Sequence, residues 1–169
     1  MEIRDRIKDF RRVPASELRP NPRNWRTHPE RQRDALRGVL AEIGYADALI
    51  ARECPDGGLM LLDGHLRAET TPDQSVPVLV VDLDDAEAAK LLATLDPLAA
   101  LAEVDTAKLD GLLREVQTGS EALSQMLAKL AEDTGIVPPD FQPASIDEQG
   151  RLDQKAPITC PECGHEFTT

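Results

Sequence analysis

The run Leu59-Met60-Leu61-Leu62 stops at Asp63-Gly64-His65-Leu66-Arg67. Four apolar residues read as a strand. The carboxylate, glycine and imidazole that follow break it and open what reads as the first turn of a helix. Such a strand-to-helix junction, with Gly64, His65 and Arg67 inside four residues, is a natural anion site. Glycine lets backbone approach a ligand closely, and free N–H groups at a helix start point outward. Arginine offers a planar fork to phosphate oxygens. Without other landmarks a plainer assignment competes: Asp-Gly makes a turn, His65 caps the helix and Arg67 pairs with an acidic neighbour.

The elements around this junction are short. Residues 15–19 read as a strand and Pro20-Asn21-Pro22-Arg23-Asn24-Trp25-Arg26 as a loop, since two prolines fix φ and bar a helix. A helix is expected from Pro29, its stripe Ala35, Leu36, Val39, Leu40 and Ile43 ending at Gly44. Residues 48–52 read as a strand, and Pro55-Asp56-Gly57-Gly58 as a hairpin turn. A further strand covers 76–81, with Pro77 placing it at an edge or at a strand's first position. Asp84-Asp85 caps a helix over 86–95. Two amphipathic helices, 106–117 and 121–133, read as an αα-hairpin.

The expectation is therefore an α+β fold, a small mixed β-sheet with flanking helices followed by a helical hairpin. It divides into a charged, poorly packed leader (1–14), a sheet domain (15–105), the hairpin (106–135), a polar linker (136–156) and a cysteine-containing tail (157–169). Aromatic residues are only 3% of the chain, so Leu, Val, Ile and Ala must build the core. No stretch approaches the roughly 18 apolar residues of a membrane span. With a charged start lacking an apolar signal segment, and three cysteines, an odd count, a cytoplasmic protein without membrane partners is expected. The net charge of −12 is unevenly spread: residues 1–37 hold 11 Lys/Arg against 6 Asp/Glu, net +5. Only that segment suits an anionic partner; the rest repels a DNA backbone.

The tail carries Cys160-Pro161-Glu162-Cys163-Gly164-His165. Two thiolates two residues apart form one knuckle of a zinc ribbon. Cys160, Cys163 and His165 are the candidate Zn²⁺ ligands, with a fourth needed from Cys54, His28, a carboxylate or a second copy. A vestigial ribbon or a redox-sensitive pair is the other assignment. Trp25, the only tryptophan, either stacks a base or pins its loop to the core.

In three places the chain resembles the ParB/sulfiredoxin-like family. Residues 18–26 look like the ParB opening box, a strand ending in a Pro-Asn-Pro turn with basic residues. Residues 63–67 look like the Asp-Gly-His-x-Arg form of the second box, found in ParB-like proteins of phages and mobile elements. Residues 76–82 match the strand that follows. The resemblance implies a small α+β domain binding CTP or ATP with Mg²⁺, in which Gly64, His65 and Arg67 contact phosphate. Asp63 would orient the ligand or touch metal, and Glu30 sits near the catalytic glutamate of the free-serine-kinase members. Apart from the resemblance, Arg23, Arg26, Arg31 and Arg33 form a basic cluster next to the loop, which either contacts nucleotide or nucleic acid or simply offsets the acidic body. No cysteine stands in the junction, so a sulfiredoxin reaction lacks its nucleophile. The third ParB box, here residues 92–100, lacks its asparagine, and only Asp96 remains to touch a metal.

The function implied is a nucleotide- or phosphate-binding accessory protein of DNA metabolism or modification in phage or mobile elements. Its partners would be nucleotide, DNA or a DNA methyltransferase, and a second copy in a homodimer. Two alternatives stay open. One is a small-molecule kinase or NTP hydrolase using Asp63 and Glu30. The other is a non-catalytic adaptor with a decayed site that uses the 106–134 hairpin as its surface.

Overall fold

Valines at alternate positions make the centre of the sheet. In strand β5 (Ser75–Val81), Val76, Val78 and Val80 are completely buried, as are Leu49 of β3 (Leu49–Glu53) and, nearly so, Leu61 of β4 (Leu59–Asp63). A computed structural model describes residues 3–137, 158–159 and 166–167. With β1 (Ile7–Pro14) and β2 (Leu18–Arg19) these strands form a five-stranded sheet of order β1-β5-β3-β4-β2. The β1/β5 and β3/β4 pairs are antiparallel, and β5/β3 and β4/β2 are parallel. Ala15, Leu18 and Ala68 complete the core. A mainly aliphatic interior, with Tyr45 packed against it, is what the composition predicts.

Residues 7–14 depart from the expected frayed leader. They pair with β5 along the whole of β1, with one register shift between Ile7 and Asp9. The charges that made the segment look unstructured are those that protect an edge strand from pairing with another chain. They are also anchored. Arg11 reaches Glu53 at 2.9 Å, Lys8 bonds the same carboxylate, and Arg6 reaches Glu87 at 2.6 Å. Arg6 and the Asp84 N–H hold the Glu87 carboxyl down at about 2. Residues 15–19 are a 3-10 turn (Ala15–Glu17) followed by β2, not one strand. Pro77 lies in a strand with neighbours on both sides, because the parallel ladder to β3 starts one residue later, at Leu49 opposite Val78. The β3 ladder therefore calls on no N–H from Pro77, and no β3 carbonyl of that ladder is left without its donor there.

The helices are α1 (Glu30–Glu42), α2 (His65–Thr70), α3 (Asp85–Ala100), α4 (Thr106–Glu115) and α5 (Glu121–Asp133). Asp84 and Glu87 form a reciprocal capping box at the start of α3. That helix runs five residues past the expected end at 95, through Pro97, before stopping at Ala100. Among the described residues no helix is long and apolar enough to cross a membrane.

The expected hairpin partner of α5 is not its main support. No residue of α4 is buried, whereas α5 buries Leu123 and Ala131 and packs on α1. Glu42, at the end of α1, accepts hydrogen bonds from Thr118 Oγ1 and the N–H groups of Gly119 and Ser120 (2.8, 2.9 and 3.1 Å). Gly38 allows the close approach: a Cβ there would lie 2.3 Å from Ser120 Oγ and 2.7 Å from its Cβ. Ser120 caps α5 through Leu123 N–H. Helix propensity alone makes Gly38→Ala stabilising by about 1 kcal/mol. The clash with the cap is worth about 1–3 kcal/mol in the other direction. Thermal melts are expected to show Gly38→Ala less stable than the parent, and Gly38→Ala/Ser120→Gly partly restored.

The remaining segment is a separate unit, residues 138–169. Its described residues are two short antiparallel strands, β6 (Ile158–Thr159) and β7 (Glu166–Phe167). Cys160, Cys163 and His165, and most of the expected linker, lie outside the described residues.

Candidate functional site

Strand β4 ends at Asp63, and Gly64 turns the chain with φ +88° before α2 begins at His65. Only glycine fits. The torsion is left-handed, and a Cβ would sit 2.5 Å from Leu49 Cγ. Ala68 N–H closes the first helical turn on Gly64 O at 3.0 Å.

His65 is 7% exposed, and its Nε2 accepts the backbone N–H of Asn21 at 3.2 Å. An accepting nitrogen needs a lone pair, so the neutral ring carries its proton on Nδ1. Asn21 is equally buried. Its amide donates to Leu61 O at 3.1 Å, and its carbonyl oxygen accepts from Arg23 N–H at 2.9 Å. The Pro-Asn-Pro loop is thus sewn to β4 and to α2 by one residue. Sequence reasoning gave Asn21 only a turn role. The available signal was a polar side chain between two prolines, where the backbone has few hydrogen bonds of its own to make.

Burial pushes the His65 imidazole below its ordinary value of 6.5. Between the depressed folded value and the unfolded one, only the unfolded chain binds the extra proton. Stability is therefore full above about pH 6.5 and falls as pH drops through that window. Urea melts between pH 8 and pH 5 are expected to show this loss in the parent chain, with a flatter profile in His65→Gln.

Arg67 projects from the first turn of α2, and its side chain is only 16% exposed. The fork expected for phosphate is engaged by two carboxylates, Asp63 and Asp47, each at 2.7 Å. The plainer assignment of Arg67, pairing with an acidic neighbour, thus holds in the structure. The arginine nevertheless stands at an open cleft of about 270 Å³. One wall of the cleft is Asp63, Gly64, His65 and Arg67. The loop Asn24–His28 faces it, with Gln32 and Leu36 of α1 and Leu92, Leu95 and Asp96 of α3.

Arg26 is on the facing wall. Its Nε lies 2.9 Å from Asp96 Oδ2 and its guanidinium 4.5 Å from the centroid of the Trp25 ring. Trp25 Nε1–H donates to Leu92 O at 3.1 Å, so the loop is pinned to α3 as one of the two expectations had it, yet the residue stays 55% exposed.

The structure therefore brings together Asp63, Gly64, His65, Arg67 and Arg26, and adds Asp96 and Trp25. Arg23 does not line this cleft. It is exposed on the other side of the loop, along a hollow it shares with Arg52 and Met60. Glu30 is also elsewhere, 69% exposed in the first turn of α1 and paired with Arg37 at 3.1 Å. Nor is the basic N-terminal segment a free positive surface. Among the described residues, only Arg12, Arg23 and Arg31 of residues 1–37 have no carboxylate within ion-pair distance. Among the described residues no three His, Cys, Asp or Glu converge on a metal position. Mg²⁺ commonly binds through one or two carboxylates plus substrate phosphates, and Asp63 and Asp96 are the carboxylates this cleft supplies.

The sheet order, the left-handed glycine junction and the flanking helices define a class, the ParB-like α+β fold. The C-terminally truncated chromosome-partitioning protein ParB from Caulobacter crescentus, complexed with CTP-gamma-S, shares it. The TM-score is 0.54 at 20% identity, covering 76% of this chain and 72% of that one. Weaker likenesses, both at TM-score 0.43, are the same Caulobacter crescentus protein complexed to the centromeric parS site and a Pnob8-like ParB-N domain. The former is 20% identical and covers 75% of this chain and 65% of that one; the latter is 19% identical and covers 75% and 48%. No family model matches the sequence, and no curated protein matches it.

Proposed function

We propose that the cleft binds a nucleoside triphosphate. Its phosphates would lie along Gly64, His65 and Arg67, with Arg26 closing on them from the facing loop. The observation that carries this reading is the convergence of a left-handed glycine turn and two arginines on one open cleft. The likeness in fold to a domain complexed with CTP-gamma-S supports it. The biological part of the proposal is a nucleotide-binding accessory of DNA metabolism or modification in phage or mobile elements, acting beside DNA or a DNA methyltransferase. It rests on the motif resemblance.

Arg26 and Arg67 are matched in the cleft by Asp63 and Asp96. A bare triphosphate meets a wall with no net positive side-chain charge, whereas a magnesium-bound one carries less charge to neutralise. Binding should therefore strengthen with Mg²⁺. A ligand that binds only the native state at about 100 times its Kd stabilises it by about 2.7 kcal/mol. Thermal melts with CTP, ATP, GTP and UTP, each with and without Mg²⁺, are expected to rise by several degrees for at least one nucleotide. Arg26→Ala, at an exposed side chain, should abolish the rise without lowering the unliganded melting temperature much. Unchanged melts across the whole panel would overturn the proposal.

One observation favours a second reading, that of a kinase or hydrolase. Asp63 stands on the phosphate wall, where a general base or metal contact is needed. Product formation from the nucleotide that binds, lost in Asp63→Asn, would establish turnover.

A further inference from the structure

We infer that the exposed face of Trp25 is a stacking platform for the nucleobase of the ligand whose phosphates meet Gly64 and Arg67. The inference rests on the nucleotide reading of the cleft and goes beyond it by placing the base.

A half-exposed tryptophan is not by itself informative. This one is held rigid on several sides. Its indole N–H is fixed on Leu92 O of α3 at 3.1 Å. The Arg26 guanidinium covers one face at 4.5 Å from the centroid and is itself held by Asp96 at 2.9 Å. The turn beneath is closed by Asn24 N–H on Asn21 O at 3.0 Å and by Arg26 N–H on Asn24 Oδ1 at 3.2 Å. An indole so constrained has little rotamer entropy left to lose on binding, yet 55% of the residue remains in water. The Arg26 guanidinium occupies one face, and the inference places the base on the other.

The surroundings suit a base rather than a second phosphate. Leu36, Leu62, Leu66, Leu92 and Leu95 give the cleft apolar lining beside its arginines. Every base has a π-face, so a platform of this kind accepts any of them. Preference among bases would come from polar groups at the base edge, where Asn24 and Gln32 are the amide side chains lining the cleft.

Trp25 is the only tryptophan of the chain, so intrinsic fluorescence reports on this position alone. Inorganic triphosphate, which engages Arg26 without supplying a base, sets the emission change due to the cation leaving the indole, and nucleoside triphosphates are expected to change the emission of the parent protein clearly beyond it. Trp25→Leu should weaken nucleotide binding roughly tenfold, the scale of base–aromatic stacking lost on side-chain truncation. Its affinity for inorganic triphosphate should fall clearly less than its affinity for nucleotide, and Trp25→Phe should fall between for nucleotides. Equal affinity of the parent for nucleotide and inorganic triphosphate, with the same emission change for both, would leave the phosphate site standing and remove the platform. No binding of either ligand would remove both. Should Trp25→Leu misfold, the parent's emission and its two affinities still decide the matter.

Discussion

Gly64→Ala is expected to be the most damaging single substitution in the sheet domain. Two costs add. A non-glycine residue at φ +88° pays about 1–2 kcal/mol for the left-handed torsion. Its Cβ would also fall 2.5 Å from Cγ and 3.1 Å from Cβ of Leu49, a residue with no exposure. Leu49 begins β3 and pairs with Val78 of β5, so it has no room to withdraw. Forcing a methyl into such a site costs about 1–3 kcal/mol more. At the few degrees per kcal/mol typical of domains of this size, the melting temperature should drop by roughly 10 °C. A melt within about 2 °C of the parent would contradict both costs. Gly111→Ala is the control, because nothing lies within 4 Å of the added Cβ and its φ is not left-handed.

The same junction separates what can be read in the sequence from what cannot. Its glycine, its strand and its helix are local features. So are the α1 stripe from Ala35 to Leu40, the Gly44 stop with φ +82°, and the Asp84 cap, although Ile43, counted in the stripe, lies past the helix and is 68% exposed. The partners of the charged residues are not local. Asp47 reaches Arg67 and Asp96 reaches Arg26 across spans of chain that no short-range pattern encodes. Strand β1 was hidden for a related reason. Its alternation is broken by the charges an edge strand needs, and β5, which gives it a place, lies over 60 residues further on. For α5, the periodicity gives the buried stripe but not the surface that receives it. Gly38 makes α1 that surface, and an isolated glycine in a helical pattern gives no direction of approach. In the site, Arg23 and Arg26 are equivalent by composition, and only the pinning of Trp25 to Leu92 sets them on different sides of the loop.

Arg67→Ala and Asp47→Asn are expected to move nucleotide affinity in opposite directions. In the unliganded protein the guanidinium is shared between Asp63, at the end of β4, and Asp47, which precedes β3. Asp47 is 79% exposed at its side chain, so its pair with Arg67 contributes about 0–1 kcal/mol to folding. It does place a negative charge on one edge of the fork that a phosphate would use. Asp47→Asn should therefore leave the melting temperature nearly unchanged and tighten nucleotide binding by about two- to fivefold, within the energy of such an exposed pair. Arg67→Ala removes charged hydrogen bonds of about 1.5–3 kcal/mol, which corresponds to a Kd roughly 10- to 100-fold weaker. It also leaves Asp63, 33% exposed, without its cation, so some stability is lost as well. Arg67→Lys keeps the charge but not the planar fork and should recover stability more than affinity. An arginine that only locked the junction would behave otherwise. Asp47→Asn would then not change the Kd, and affinity would follow the melting temperature across all three variants. Titration calorimetry beside thermal melts distinguishes the two, because the exposed aspartate lets the fork be freed without loosening the fold.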